Sequence, residues 1–100
     1  MKSEVFNQYV ERVTDLFDIT KEQLFSKSRE QILVDARYLL YYLCYNRPMQ
    51  VMYIEKYVNE NGYSIKHSSI ISGIKSVERR VAEDKDYLSI IKEIEKAVFI

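Results

Sequence analysis

Serine hydroxyls, one imidazole and two basic side chains recur at helical spacing between residues 67 and 82. Its polar positions include His67, Ser68, Ser69, Ser72, Lys75 and Arg79. Hydroxyl and imidazole groups hydrogen-bond to base edges and phosphates, lysine and arginine attract phosphates, and small side chains allow close approach to a groove. The pattern indicates a helix that contacts a polyanion. A plain solvated helix face has the same composition, so both interpretations stay open at this point.

The chain offers little for catalysis. Its single histidine, His67, has no partner cysteine nearby in sequence, and neither a glycine-rich phosphate loop nor a catalytic carboxylate pattern occurs. Cys44, the only cysteine, lies on an apolar helical face, where burial is the expected role. We therefore expect a protein that is not an enzyme and needs no cofactor and no metal.

Composition predicts one globular domain over residues 1–100, with 47% apolar and 30% charged residues. No apolar run reaches the roughly 18 residues of a membrane span, and the N-terminus does not resemble a signal peptide. We expect no membrane partner and a cytoplasmic location. The formal net charge is zero, which is unusual for a DNA-binding protein, but residues 21–80 carry ten basic and six acidic side chains.

Apolar spacing and few helix breakers predict an all-α, compact six-helix bundle. The expected helices span residues 3–17, a short segment after Thr20, 29–46, 49–61, 67–82 and 86–98. Thr20 and Gln23 form a capping-box pattern, and Ser28 is expected to cap the third helix. Pro48 is expected in the first turn of the fourth helix, which Gly62 ends in a left-handed conformation.

The third helix is expected to be the central buried element. Its predicted apolar stripe consists of Ile32, Ala36, Leu39, Leu40, Leu43 and Cys44. We expect its tyrosines to belong to the core and not to stack on bases, and we expect a structural role for Arg37, paired with Asp35 or a carboxylate of the first helix. The fourth and fifth helices, about residues 49–82, have the proportions of a helix-turn-helix.

Two stretches resemble the C-terminal DNA-binding domain, domain IV, of the bacterial replication initiator DnaA. The first runs from Ser26-Lys27-Ser28-Arg29 through Val34-Asp35-Ala36-Arg37 to Tyr42-Leu43, and the second is His67-Ser68-Ser69-Ile70 with Gly73 and Val77 behind it. Both occur in the family's order, and the resemblance covers about residues 10–97. It implies the Trp-repressor-like helix-turn-helix fold of that family.

The resemblance also implies which residues contact double-stranded DNA. Arg29 matches the arginine that enters the minor groove or contacts the backbone, while His67, Ser68 and Ser69 match residues that contact the major groove. The remaining expected DNA contacts are Lys27, Lys66, Ser72, Lys75 and Arg79.

The chain departs from the family pattern at several positions. Glu30, Gln31 and Asp35 stand where basic residues are common, and Lys66 replaces the acidic residue before the histidine. The turn at residues 61–65 is longer than the family's, and the initiator's ATPase domain is missing from this sequence. We therefore expect neither ATP-driven origin melting nor the family's standard target sequence.

Two hypotheses follow. The first is a stand-alone DNA-binding module of the kind a phage or mobile element encodes, acting in replication or transcription control of a bacterial cell. The alternative is a protein–protein interaction module on the same scaffold, with a host initiator or a virion protein as partner. The zero net charge, Glu30 and Asp35 motivate the alternative.

Overall fold

Six helices account for most of the chain in a computed structural model, which describes residues 2–98. The helices are α1 (Lys2–Phe17), α2 (Lys21–Leu24), α3 (Gln31–Asn46), α4 (Val51–Glu60), α5 (His67–Glu83) and α6 (Lys85–Ala97). No strand occurs in this part of the chain, so the predicted all-α class is confirmed. None of the described helices combines the length and the apolar character needed to cross a membrane.

Helix α3 is the central element, as its apolar stripe predicts. It packs against α1, α2, α4 and α5, and Leu39, Leu40 and Cys44 are completely buried on it. The prediction for Ile32 is wrong: this side chain is 46% exposed, and Leu33 is buried instead. At the first turn of α3, the core therefore lies on the side of the helix that Leu33 faces.

The tyrosines of α3 divide between core and surface. Tyr41 and Tyr42 are buried and Tyr38 packs against the core, which confirms the expected core role for these three. Tyr45 is 43% exposed, so the same expectation is wrong at that position. Tyr45 borders an open cavity between α3 and α5, whereas Cys44 in the same turn faces the core and is completely buried.

Two helix ends differ from the sequence-based prediction. Helix α3 begins at Gln31 with Glu30 at the N-cap position, and Ser28 Oγ instead accepts a hydrogen bond from the Glu30 N–H at 3.2 Å. Pro48 lies in the turn before α4, whose N-cap position is Gln50. In both places the chain completes a turn before it enters the helix.

Two other helix ends are confirmed. Thr20 Oγ1 accepts from the Gln23 N–H at 3.1 Å, and the Gln23 side chain accepts from the Thr20 N–H at 2.8 Å. Gly62 follows α4 with a φ of 89°, a left-handed conformation that side chains other than glycine rarely adopt. These local signals fix where α2 begins and where α4 ends.

Helix α5 lies very close to α3, and Gly73 makes this possible. Ile70, Gly73, Ile74 and Val77 form its buried face. A Cβ atom at position 73 would lie 2.7 Å from Cδ1 of Tyr38. Only a glycine therefore lets α5 approach the aromatic side of α3 this closely.

We expect Gly73→Ala to destabilise the protein by about 1–3 kcal/mol, the usual cost of overpacking a core. Alanine has the higher helix propensity by about 1 kcal/mol, so a net loss would show that the steric clash exceeds this gain. Chemical denaturation measures the change, and Ser72→Ala, at an exposed position of the same helix, is the control. A Gly73→Ala variant more stable than the wild type would contradict the close packing.

We also expect stability to fall between pH 8 and 9.5 because of Cys44. Burial raises the pKa of its thiol in the folded protein, whereas a thiol in an unfolded chain ionises near about 8.5. The unfolded chain therefore loses its proton first, and rising pH favours unfolding by up to about 1.4 kcal/mol per pH unit. In urea titrations, Cys44→Ala should be less stable overall but should lack this slope; an unchanged slope would exclude Cys44 as its source.

Candidate nucleic-acid interface

The N-terminal end of α5 is open to solvent. Lys66 occupies the N-cap position without a side-chain capping bond, and its carbonyl accepts from the N–H groups of Ser69 and Ile70. The N–H groups of His67 and Ser68 have no acceptor among residues 2–98. Free N–H groups give a helix start a partial positive charge, which favours anions.

All nine predicted DNA contacts are exposed. They are Lys27, Arg29, Lys66, His67, Ser68, Ser69, Ser72, Lys75 and Arg79. On α5, the positions of Ser68, Ser72, Lys75 and Arg79 repeat at three- and four-residue spacing, opposite the buried Ile70 and Val77. The outward orientation that the sequence predicts for this face is therefore present.

Arg37 holds the segment that carries Lys27 and Arg29. Its side chain is 4% exposed, and its guanidinium donates three hydrogen bonds to main-chain carbonyls. The acceptors are the oxygens of Leu24 at 2.7 Å, Ser26 at 2.6 Å and Ser28 at 2.9 Å. These bonds tie residues 24–28 to the middle of α3.

The expected structural role of Arg37 thus fits the structure, but the expected partner is wrong. Its guanidinium forms no ion pair with a carboxylate among the described residues. Asp35 instead accepts a hydrogen bond from Gln31 Nε2 at 2.8 Å. The partners of Arg37 are main-chain carbonyls of a loop and not a carboxylate. The sequence could not predict them, because it does not show which carbonyls of a loop point inward.

Two adjoining cavities bring the loop and the start of α5 together. The first cavity has a volume of about 320 Å³. Its lining residues are Arg29, Val34, Arg37, Tyr38, Tyr41, Tyr63, Ser64, Ile65, Lys66 and Ser69. The second cavity, of about 380 Å³, is lined by Lys27, Arg29, Tyr63 and Ser64. Four basic side chains line these two cavities, and no acidic side chain of the described residues does. We therefore refer to the two cavities together as the basic cleft.

The basic cleft therefore joins four of the nine predicted residues: Lys27, Arg29, Lys66 and Ser69. Lys75 lines a separate, mostly apolar cavity with Tyr45 and Glu78. Arg79 lies ten residues beyond Ser69, about 15 Å along the helix. The predicted set thus forms a cluster at the start of α5 and a stripe that continues along its outer face.

Acidic side chains flank this region. Glu55 Oε1 of α4 lies 3.7 Å from Nδ1 of His67, and Glu30 Oε1 accepts from the Ser28 hydroxyl at 3.3 Å. Both carboxylates lower the positive potential beside the cleft. His67 thus faces the α4 side of α5, whereas Ser69 faces the cleft.

Tyr63 is a cleft residue that sequence analysis did not select. Its ring stacks on the Arg37 guanidinium, with Cζ 4.7 Å from the ring centroid, and it lines both cavities. The turn that holds it is fixed by the hydrogen bond from the Ile65 N–H to Asn59 Oδ1 at 3.1 Å. The only feature of the sequence that could have indicated a role for Tyr63 is that it is an aromatic residue within a polar turn.

The chain matches no protein-family model, no curated protein and no solved structure. The resemblance to the DnaA domain thus rests on the motifs at residues 26–43 and 67–77 alone.

We expect Arg37→Met to destabilise the protein by about 2–4 kcal/mol, because three carbonyls lose a charged donor. Amide exchange of residues 25–30 should also accelerate. The matched control is Arg29→Met, which removes an exposed guanidinium and should change stability by no more than about 0.5 kcal/mol. Equal denaturation midpoints for the Arg37→Met variant and the wild type would show that these bonds do not stabilise the loop.

Proposed function

We propose that the protein is a sequence-preferring, double-stranded DNA-binding module that acts in replication or transcription control without ATPase activity. The start of α5 enters the major groove as the second helix of a helix-turn-helix formed by α4 and α5. Arg29 contacts the adjacent minor groove or backbone.

One observation carries this proposal: Arg29 lines the same cavity as Lys66 and Ser69. A recognition helix needs contacts beside it to hold its orientation on the duplex, and such contacts usually go to phosphates. Here the loop supplies them from a position that Arg37 fixes. Neither α1 nor α6 contributes a residue to the walls of the cleft.

The available cations also suit the proposal. Lys27, Arg29 and Lys66 have no ion pair with an acidic side chain of residues 2–98, and neither do Lys75 and Arg79. Cations without internal partners are available to phosphates. The motif resemblance adds the cytoplasm of a bacterial or phage-infected cell as the location where the module acts.

Glu55 favours the alternative, a protein–protein interaction module on the same scaffold. Its carboxylate lies 3.7 Å from the His67 imidazole at the position expected to meet base edges. A carboxylate at that place repels phosphates, whereas a basic side chain of a protein partner could form an ion pair with it. A host initiator or a virion protein is the kind of partner this hypothesis names.

Titration of labelled duplexes at 50 and 200 mM salt tests the DNA proposal. With about four to six phosphate contacts, affinity should fall about 10²- to 10³-fold between the two concentrations. Binding no tighter than about 1 mM at the lower salt would eliminate the proposal.

The same titration should be repeated with the double variant Arg29→Ala/His67→Ala. We expect most of the affinity to be lost with an unchanged fold, since both side chains are exposed. Arg12→Ala, which removes an exposed cation of α1 that lines neither cavity, is the control and should bind almost as the wild type does. Retained partner binding in a chain with no DNA affinity would instead favour the interaction module.

A further inference from the structure

The cavity that contains Arg37 has an unusual charge arrangement. Arg29, Arg37 and Lys66 line it, and no carboxylate of the described residues does. A guanidinium has five N–H donors, and three of those of Arg37 are used by loop carbonyls. The other two have no acceptor among residues 2–98. Each guanidinium nitrogen thus has one partner, and the remaining N–H groups can donate to an anion or to water in the cavity.

We propose that this cavity is a binding pocket for the phosphate group of a nucleotide. Arg29 and Lys66 contact the phosphate oxygens from the rim, and Arg37 attracts the anion from the floor of the pocket. Arginine and lysine side chains are the usual protein partners of phosphate oxygens. The hydroxyls of Ser64 and Ser69 supply further donors at the same walls.

The size and the walls of the pocket favour a nucleotide over a bare anion. Its volume of about 320 Å³ exceeds what a single phosphate fills and lies near the lower end of small-molecule pockets, about 300–1,000 Å³. The half-buried Tyr63 supplies an aromatic wall, against which a sugar or base can pack. A carboxylate ligand would satisfy fewer of the available donors.

The phosphate has two possible sources with the same chemistry, a strand of DNA and a free nucleotide. If the occupant is a DNA strand, the inference rests on the proposed function, because the pocket adjoins the start of α5. If the occupant is a free nucleotide, the inference is independent of the proposed function. Competition between the two ligands therefore separates the pocket from the DNA-binding proposal.

The experiment titrates the full chain with thymidine monophosphate and follows amide chemical shifts by NMR. We expect saturable shifts at residues 63–69 with a Kd tighter than about 1 mM, and no saturable shifts with thymidine, which lacks the phosphate. Arg29→Gln combined with Lys66→Gln should weaken binding at least tenfold. These two side chains are exposed, so the variant should fold.

Arg12→Gln is the control and should leave the affinity unchanged. The pocket is disproved if thymidine monophosphate gives no saturable shifts, or if the Arg29→Gln/Lys66→Gln variant binds as tightly as the wild type. It is also disproved if the control loses as much affinity as that variant does.

Duplex DNA is then added to protein saturated with thymidine monophosphate. Weaker DNA binding would support the pocket and identify a DNA strand as its occupant, whereas unchanged DNA binding would support it with a free nucleotide as the occupant. Nucleotide binding without any DNA binding would disprove the DNA proposal alone. DNA binding without nucleotide binding would disprove the pocket alone.

Discussion

The hydrogen bonds of the Arg37 guanidinium determine where the loop before α3 can lie. They end on the carbonyls of Leu24, Ser26 and Ser28, so one side chain supplies donors to three carbonyls of this loop. Burying a charge is unfavourable unless its donors find acceptors, and the loop carbonyls need donors of their own. Each group therefore requires the other, and the position of Arg29 follows from this mutual requirement.

Helix α3 provides the common reference for both walls of the cleft. Arg37 anchors the loop to it, and Gly73 lets α5 pack directly against Tyr38, the next residue of α3, and Tyr41, one turn beyond Arg37. The loop and α5 do not need to hold each other, because each is fixed to the same buried helix. A change on the core side of α3 should consequently move the two walls relative to each other.

Charge is distributed so that a molecule of zero net charge still has a positive surface. Four basic side chains line the cleft without an acidic neighbour in its walls, while Glu55 and Glu30 lie just outside. Salt screens the field of distant charges, so an anion near the surface is attracted or repelled mainly by the charges close to it. The local arrangement of charged side chains therefore matters more than the net charge. The zero net charge therefore does not argue against an anionic ligand.

The sequence by itself determined the features that depend on neighbours within a few residues. The all-α class, the capping box of Thr20 and Gln23 and the left-handed Gly62 are of this kind, because helical periodicity and capping act over three or four positions. The starts of α3 and α4 were misjudged where a turn competes with the helix over the same residues. Only the tertiary structure decided the partners of Arg37, the burial of Leu33 in place of Ile32, and the presence of Tyr63 in the cleft. Those contacts join residues far apart in the chain, and their geometry depends on how α3, α5 and the loops pack together.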